Sequence, residues 1–179
     1  SGDSHWEVHY RKYDSSEDTW GDTTVISETS ADIFGAVLKI GNTGTPRTLY
    51  LGYLRKLGSV FTIRKRSWLT NALPGTSSLV ATPSLTGIDG WEDYHGPSLA
   101  VDADDTLAWA YRQNVSGAPV MVIIGSGDPI VAQRIENVND NHYSEANFVN
   151  YDIIVKSGVL FFYYNVRMDS KRLGDPEWQ

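Results

Sequence analysis

Three arginines follow the same short pattern at nearly regular intervals along this chain of 179 residues. The pattern is Leu-x-x-x-Tyr, and Arg55, Arg112 and Arg167 each follow its tyrosine within a few positions. A guanidinium group binds a carboxylate through two parallel hydrogen bonds, so clustered arginines suit an acidic ligand. If the three side chains reach one mouth of the fold, we expect them to bind an acidic sugar. The alternative is that each caps a strand end or pairs with a neighbouring acid.

Two histidine–tyrosine pairs are the candidates for proton transfer. Tyr94–His95 and His142–Tyr143 precede apolar strand patterns. In the eliminative cleavage of a uronate polymer, a His or Tyr removes the proton beside the carboxylate, which an Arg or Lys neutralises. Histidines in solvated loops are the plain alternative. The residues that match a glycosidase nucleophile by type alone are Tyr143, Glu136 and Glu145. The sequence therefore leaves catalytic residues unassigned.

Aromatic side chains point to a binding function without catalysis. The chain has six Trp and ten Tyr, and such rings stack on flat ligands. Trp91, Tyr94 and His95 lie in the segment Gly-Asp-Gly-Trp-Glu-Asp-Tyr-His, where a tryptophan has little core to fill. We predict a carbohydrate ligand, including acidic sugars, contacted by these three residues and the three arginines. The alternatives are a glycoside hydrolase or polysaccharide lyase acting on acidic sugars, and a structural or assembly protein.

Charge and composition narrow the classes of partner. The formal net charge of −7 argues against a nucleic-acid partner, which a basic face would attract. The absence of cysteine excludes disulfides and thiolate metal sites, and no apolar run is long enough to span a membrane. The turn Asp102-Ala-Asp104-Asp105 could hold calcium, but an Asp-rich hairpin turn explains it equally. We expect no metal and no cofactor.

The elements that position these residues are predicted to be short β-strands. Apolar and β-branched residues form runs bounded by Gly, Pro, Asn and Asp, and helical periodicity is almost absent. Each Leu-x-x-x-Tyr strand follows another apolar strand and a turn, which predicts the same β-hairpin at three places in the chain. The predicted first strands are 36–40, 98–102 and 152–156. A third strand follows at 60–64 and 120–124, and strands at 6–13 and 24–27 open the chain.

Repeated hairpins of this kind favour a β-propeller within a single domain spanning residues 1–179. The predicted units are about 31–86, 87–143 and 144–179, the last closed by 5–30. Three blades do not close a ring, so we expect half of a six-bladed ring made by a dimer of the chain, or a piece of a larger propeller. A β-sandwich is the alternative fold.

Three segments resemble the Asp-box blades of sialidase-like propellers (the bacterial neuraminidase repeat superfamily). The first is Tyr10-Arg-Lys-Tyr-Asp-Ser-Ser-Glu-Asp-Thr-Trp20, the second resembles an inner strand at 95–107, and a poorer box spans 169–178. The resemblance implies a carboxylate held by three arginines, a Tyr/Glu pair, and an extracellular, cell-surface or virion location. We expect Trp20 and Trp68 to be structural residues buried between strands, with stacking on a sugar as the alternative.

Overall fold

The computed structural model describes residues 5–85, 96–115, 118–124, 132–135, 151–156, 159–164 and 167–172. These residues form strands and turns only, which confirms the all-β prediction. No helix long and apolar enough to cross a membrane occurs among them. The strands are β1 Val8–Tyr10, β2 Tyr13–Asp14, β3 Thr19–Trp20, β4 Thr24–Ile26, β5 Asp32–Ile40, β6 Thr48–Leu57, β7 Val60–Leu69, β8 Ser78–Ala81, β9 Ser98–Val101, β10 Leu107–Val115, β11 Ala118–Ile124, β12 Ala132–Ile135, β13 Tyr151–Lys156, β14 Val159–Tyr164 and β15 Arg167–Arg172.

Most of these strands belong to three antiparallel sheets in which sequence neighbours pair. Sheet A has the order β5-β6-β7-β8, sheet B the order β9-β10-β11-β12, and sheet C the order β13-β14-β15. The predicted hairpins are confirmed by their registers: Val37 pairs with Gly52, Leu99 with Trp109, and Ile153 with Phe162. In the described parts of the chain, none of the sheets closes on itself.

Sheets A and B are packed face to face. Side chains alternate along a strand, so Leu54 of β6 and Ile63 of β7 share one face of sheet A. That face meets Trp109 and Tyr111 of sheet B in one apolar cluster. Gly52 lies at the contact, because a Cβ added there would overlap the ring of Trp109. The larger part of the buried core lies between these two sheets.

The opposite face of sheet A, which carries Tyr53, is covered by the start of the chain. Strands β1 and β4 pair with each other, with Val8 opposite Ile26. Ile26 is buried against Leu51, Tyr53 and Trp68. The two short strands therefore occupy the place beside sheet A that a preceding sheet would take. Their predicted role in completing the third unit remains a prediction, since in the described residues they pair only with each other.

Sheet B is covered on its second face by sheet C. Ala108 and Ala110 point away from sheet A and are buried, and β13 contacts both β9 and β10. The hydroxyl of Ser98, on the same face as Ala110, donates a hydrogen bond to Asp152 of sheet C. Small side chains on this face let β13 approach closely. The middle sheet thus has a neighbour on each side.

The first strands of the three sheets are neighbours, β5 beside β9 and β9 beside β13, and β5 and β9 run in the same direction. Near their starts, Gly96 packs against the backbone of Gly35, and Ser98 bonds to Asp152. At their far ends, the turn after β5 contacts the turn after β9, where Asn42 Nδ2 donates to the Asp102 carbonyl over 2.8 Å. Contacts at both ends fix the relative orientation of β5 and β9.

Of the two tryptophans expected to be buried, one is buried and one is exposed. Trp68 lies in the cluster under β1 and β4 and is 5% exposed, as predicted. Trp20 is 60% exposed, so its prediction was wrong. The physical reason is that β2 and β3 form a two-residue ladder of their own, with no larger sheet hydrogen-bonded to it to bury the ring.

Candidate binding site

The candidate site is the edge at which β5, β9 and β13 begin, which we call the start edge. Arg112 lies at this edge. In sheet B, Ala110 pairs with Ser98, and continuing this register by two residues places Arg112 level with Gly96. Gly96 lies two residues before the start of β9 and directly follows, in the sequence, the segment that carries Trp91, Tyr94 and His95. The sheet therefore brings an arginine to the end of the predicted aromatic loop.

Arg112 differs from the other described arginines of sheets A and B in lacking a partner for a buried nitrogen. Its Nε is buried, and no group in the described part of the chain accepts its hydrogen bond. Among the described carboxylates, none forms an ion pair with it. A buried donor without an acceptor costs about 1–3 kcal/mol. The side chain as a whole is only half-buried, so part of it stays open to an approaching anion. Arg112 is thus chemically equipped to receive an anion.

Arg55 is already paired within the chain. Its Nε lies 3.5 Å from Glu28 Oε2, and both side chains are largely buried. Glu28 follows β4, so this ion pair joins the start of the chain to β6. The arrangement corresponds to the alternative in which the arginine pairs with a neighbouring acid.

Glu28 is the centre of a larger polar cluster on the same face of sheet A. Its carboxylate accepts hydrogen bonds from Arg66 Nη2 at 3.0 Å and from the hydroxyl of Tyr53. The Tyr53 hydroxyl also lies 3.0 Å from Ser77 Oγ. Burial alone would raise the pKa of Glu28, but the hydrogen bonds from Tyr53, Arg66 and Ser77 and the charge of Arg66 outweigh it and hold that pKa below its ordinary value. The carboxylate is therefore held in its charged form.

This Tyr53–Glu28 pair has the residue types of the nucleophile pair that the family resemblance implies, but not its accessibility. Tyr53 is 0% exposed because β1 and β4 cover it. Burial and the hydrogen bond to Glu28 raise the pKa of the Tyr53 phenol, which disfavours the phenolate. A ring sealed in the core cannot reach a substrate, so the pair serves to hold β4, β6 and β7 together.

The three arginines of the repeat occupy different positions on their sheets. Arg55 comes two residues after Tyr53, so the two side chains lie on the same face of sheet A. Arg112 comes one residue after Tyr111, so the two side chains lie on opposite faces of sheet B. Arg167 opens β15 opposite Tyr164. Its equivalent in sheet A is Arg64, which pairs with Tyr53.

Two polar residues at the start edge were not predicted from the sequence. Ser98 is buried, donates to Asp152, and accepts a hydrogen bond from the Ile153 amide at 3.1 Å. Asp152 is partly buried at the junction of sheets B and C. A serine before an apolar run is too common in sequences to indicate this contact.

The sequence did contain a signal for the polar cluster on sheet A. Arg64 and Arg66 are two positions apart on one strand, and alternate positions on a strand share one face.

The other predicted site residues fall in segments that the structure does not describe. Trp91, Tyr94, His95, His142, Tyr143, Glu136 and Glu145 all lie outside the described residues. Gly96 marks where the first of these segments joins β9, and it packs so closely on Gly35 that a Cβ would overlap the Gly35 carbonyl. Gly96, the first described residue after that segment, is therefore fixed against β5.

The Asp-rich turn between β9 and β10 uses its carboxylates for hydrogen bonds to protein groups. Asp105 accepts from the Thr43 amide at 3.2 Å and from the hydroxyl of the same residue. Asp104 accepts from the Thr106 amide at 3.1 Å. In the described part of the chain, no group of three or more potential metal-binding residues occurs.

Comparison of the chain with models of known protein families, with curated proteins and with solved structures gave no match.

Proposed function

We propose that the chain supplies three blades of a β-propeller and binds glycans that carry a carboxylate, without catalysis, at the start edge. The observation that carries the binding proposal is Arg112, a half-buried side chain with an unpartnered Nε and no ion pair to any of the described carboxylates. A carboxylate is the natural acceptor for a guanidinium, and Trp91 and Tyr94, from the segment that precedes Gly96 in the sequence, are the residues proposed to stack on the sugar ring. A glycan ligand suits an extracellular or cell-surface protein.

The arrangement of the sheets supports a propeller over a sandwich. A β-sandwich consists of two sheets that each bury one face. Here sheet B has sheet A on one face and sheet C on the other, with Trp109 directed to the first and Ser98 to the second. Neighbouring first strands, with β5 and β9 running in one direction, are what blades around a common axis require.

A second copy of the chain is the proposed source of the remaining blades. Ile154, on the face of sheet C away from sheet B, is 45% exposed, as expected for a blade awaiting a neighbour. Light scattering with size-exclusion chromatography should give twice the chain mass of 19.9 kDa. A stable monomer would contradict the two-copy ring, but would leave the glycan proposal standing.

The glycan proposal is tested by titrating oligogalacturonates and sialylated oligosaccharides into the wild-type chain and an Arg112→Met variant. Loss of one charge-assisted contact, about 1.5–3 kcal/mol, should weaken binding by roughly 10- to 150-fold. Arg47→Met is the matched control, since Arg47 is exposed in the turn at the opposite edge of sheet A. Binding should also weaken with added salt.

Two results would overturn this proposal. Equal affinity of the Arg112→Met and Arg47→Met variants would remove the site from the start edge. New reducing ends, or absorbance from an unsaturated product, would show that the protein is an enzyme on acidic sugars.

Trp91→Ala should weaken binding without lowering the melting temperature.

A further inference from the structure

An exposed aromatic pair stands on the hairpin formed by β2 and β3, away from the start edge residues described above. Tyr13 and Trp20 are directly opposite each other in the ladder, with ring centroids 5.1 Å apart and planes tilted by 51°. They are 48% and 60% exposed. The guanidinium carbon of Arg11 lies 5.9 Å from the centroid of the Trp20 ring. Two large rings are therefore presented to solvent side by side.

The hairpin is held rigidly by its own polar contacts. Arg11 Nε donates to the Gly21 carbonyl at 2.8 Å, and the Gly21 amide donates to the Lys12 carbonyl at 2.8 Å. Lys12 Nζ reaches the Thr70 carbonyl at 2.5 Å and ties the hairpin to the end of β7. The Tyr13 hydroxyl bonds to Asp18. With the polar groups around them engaged, the ring surfaces are what the hairpin offers to a ligand.

The charge around the rings selects against acidic ligands. Residues 11–22 contain two basic side chains and four acidic ones, which leaves the hairpin with a net charge of −2. Asp14 and Asp18 each accept hydrogen bonds within the hairpin through one carboxylate oxygen, and since a carboxylate has about four acceptor sites, both can also accept from ligand hydroxyl groups. A ligand with an apolar face for the rings and hydroxyls at its rim matches this combination.

The size of the surface favours a small ligand. One aromatic side chain buries at most about 150–250 Å². Two rings therefore fall well short of the roughly 1,200 Å² that a stable protein interface buries. We propose that the Tyr13–Trp20 pair is a second carbohydrate site that stacks on neutral pyranose rings, independent of the carboxylate-binding function proposed for Arg112.

The test is ¹⁹F NMR on protein labelled with 5-fluorotryptophan, with Trp20→Phe used to assign one of the six tryptophan resonances. The panel is neutral hexasaccharides of glucose, mannose and galactose, with hexagalacturonate as the acidic member and glycerol as a polyol control. The Trp20 resonance should move with at least one neutral saccharide and not with glycerol. Trp20→Ala should weaken that binding on the order of tenfold, the size of one lost aromatic contact.

Trp6→Ala is the matched control, since Trp6 is 61% exposed but lies outside the hairpin. It should retain wild-type affinity for the neutral saccharide, as should Arg112→Met. The proposal is overturned if no neutral saccharide moves the Trp20 resonance, if Trp20→Ala binds as tightly as wild type, or if hexagalacturonate binds the hairpin better. A Trp20 shift that depends only on protein concentration would also overturn it, because the rings would then be covered by another copy.

Discussion

Trp109 of sheet B lies over Gly52 of sheet A, and its six-membered ring fills the space that a side chain at position 52 would need. A Cβ on Gly52 would also lie 3.2 Å from Val37 Cγ1. The glycine therefore sets how closely the two sheets approach, because the main obstacle, Trp109, is buried in a close-packed cluster.

We expect Gly52→Ala to destabilise the fold by about 1–3 kcal/mol, the usual cost of overfilling a packed core. Trp109→Phe in the same chain should recover part of this loss, because the smaller ring vacates the overlap. Chemical denaturation of the two single variants and the double variant measures the coupling. Gly21→Ala is the control, since its Cβ would meet only an ordinary contact at 3.5 Å. Additive effects of Gly52→Ala and Trp109→Phe would show that the ring is not the obstacle.

The hairpins could be predicted because their information is local. Alternating apolar residues, such as Leu49, Leu51 and Tyr53, and the turn residues between strands specify a hairpin without reference to the rest of the chain. The repeat also identified equivalent strands. Tyr53 faces the start of the chain and Tyr111 faces sheet A, so each tyrosine points towards the element that precedes its own sheet.

The positions of the arginines could not be predicted because a shift of one residue along a strand reverses the face. Arg55 and Arg112 follow their tyrosines by two residues and one residue, and this difference sends them to opposite faces. The spacing of these arginines in the sequence was read as a repeated feature, although they do not occupy equivalent positions in the sheets. The partner of Arg55 is 27 positions away at Glu28 and carries no motif. The exposure of Trp20 could not be predicted from the sequence either, because it depends on which elements pack beside β3.

Ser98 should be more sensitive to substitution than an ordinary surface serine. Ser98→Ala leaves the Ile153 amide and the Asp152 carboxylate each without one hydrogen bond at the junction of sheets B and C. We expect a loss of about 1–3 kcal/mol in the free energy of unfolding. Ser59→Ala, in the exposed turn between β6 and β7, should change it by less than about 0.5 kcal/mol. Equal stabilities would mean that other groups satisfy the amide and the carboxylate.

Asp105 should control the contact between the turns at the far edge. Its side chain accepts from the Thr43 amide and hydroxyl and from the Asn42 amide, and these hydrogen bonds hold its pKa below the ordinary value. Asp105→Ala should speed amide hydrogen exchange at Asn42 and Thr43. Asp105→Asn, which tolerates the left-handed backbone at φ 65°, should have a smaller effect. Asp104→Asn is the control, because Asp104 bonds within its own turn; unchanged exchange in Asp105→Ala would remove Asp105 from this role.

Glu28 should make part of the stability of the fold depend on pH. Its pKa in the folded chain lies below the ordinary 4.5, so the folded state favours the charged form more than the unfolded state does. The stabilisation is complete above about pH 4.5 and is lost as pH falls through the folded pKa. Tyr53 and Arg66, which face it, both have a pKa raised above the ordinary value and keep their protons throughout this range.

We therefore expect Glu28→Gln to lower the free energy of unfolding by about 1–3 kcal/mol at pH 7, since the charge-assisted bonds from Arg66 and Arg55 are weakened. The difference from wild type should shrink as pH falls below 4.5, because protonation of Glu28 removes the same charge. Subtracting the two profiles cancels the contributions of other carboxylates, such as Asp105. Glu7→Gln is the control, as Glu7 contacts only His9 at 3.4 Å on the exposed surface. A difference between wild type and Glu28→Gln that stays constant from pH 7 to pH 3 would mean that the side chain acts by packing and not by charge.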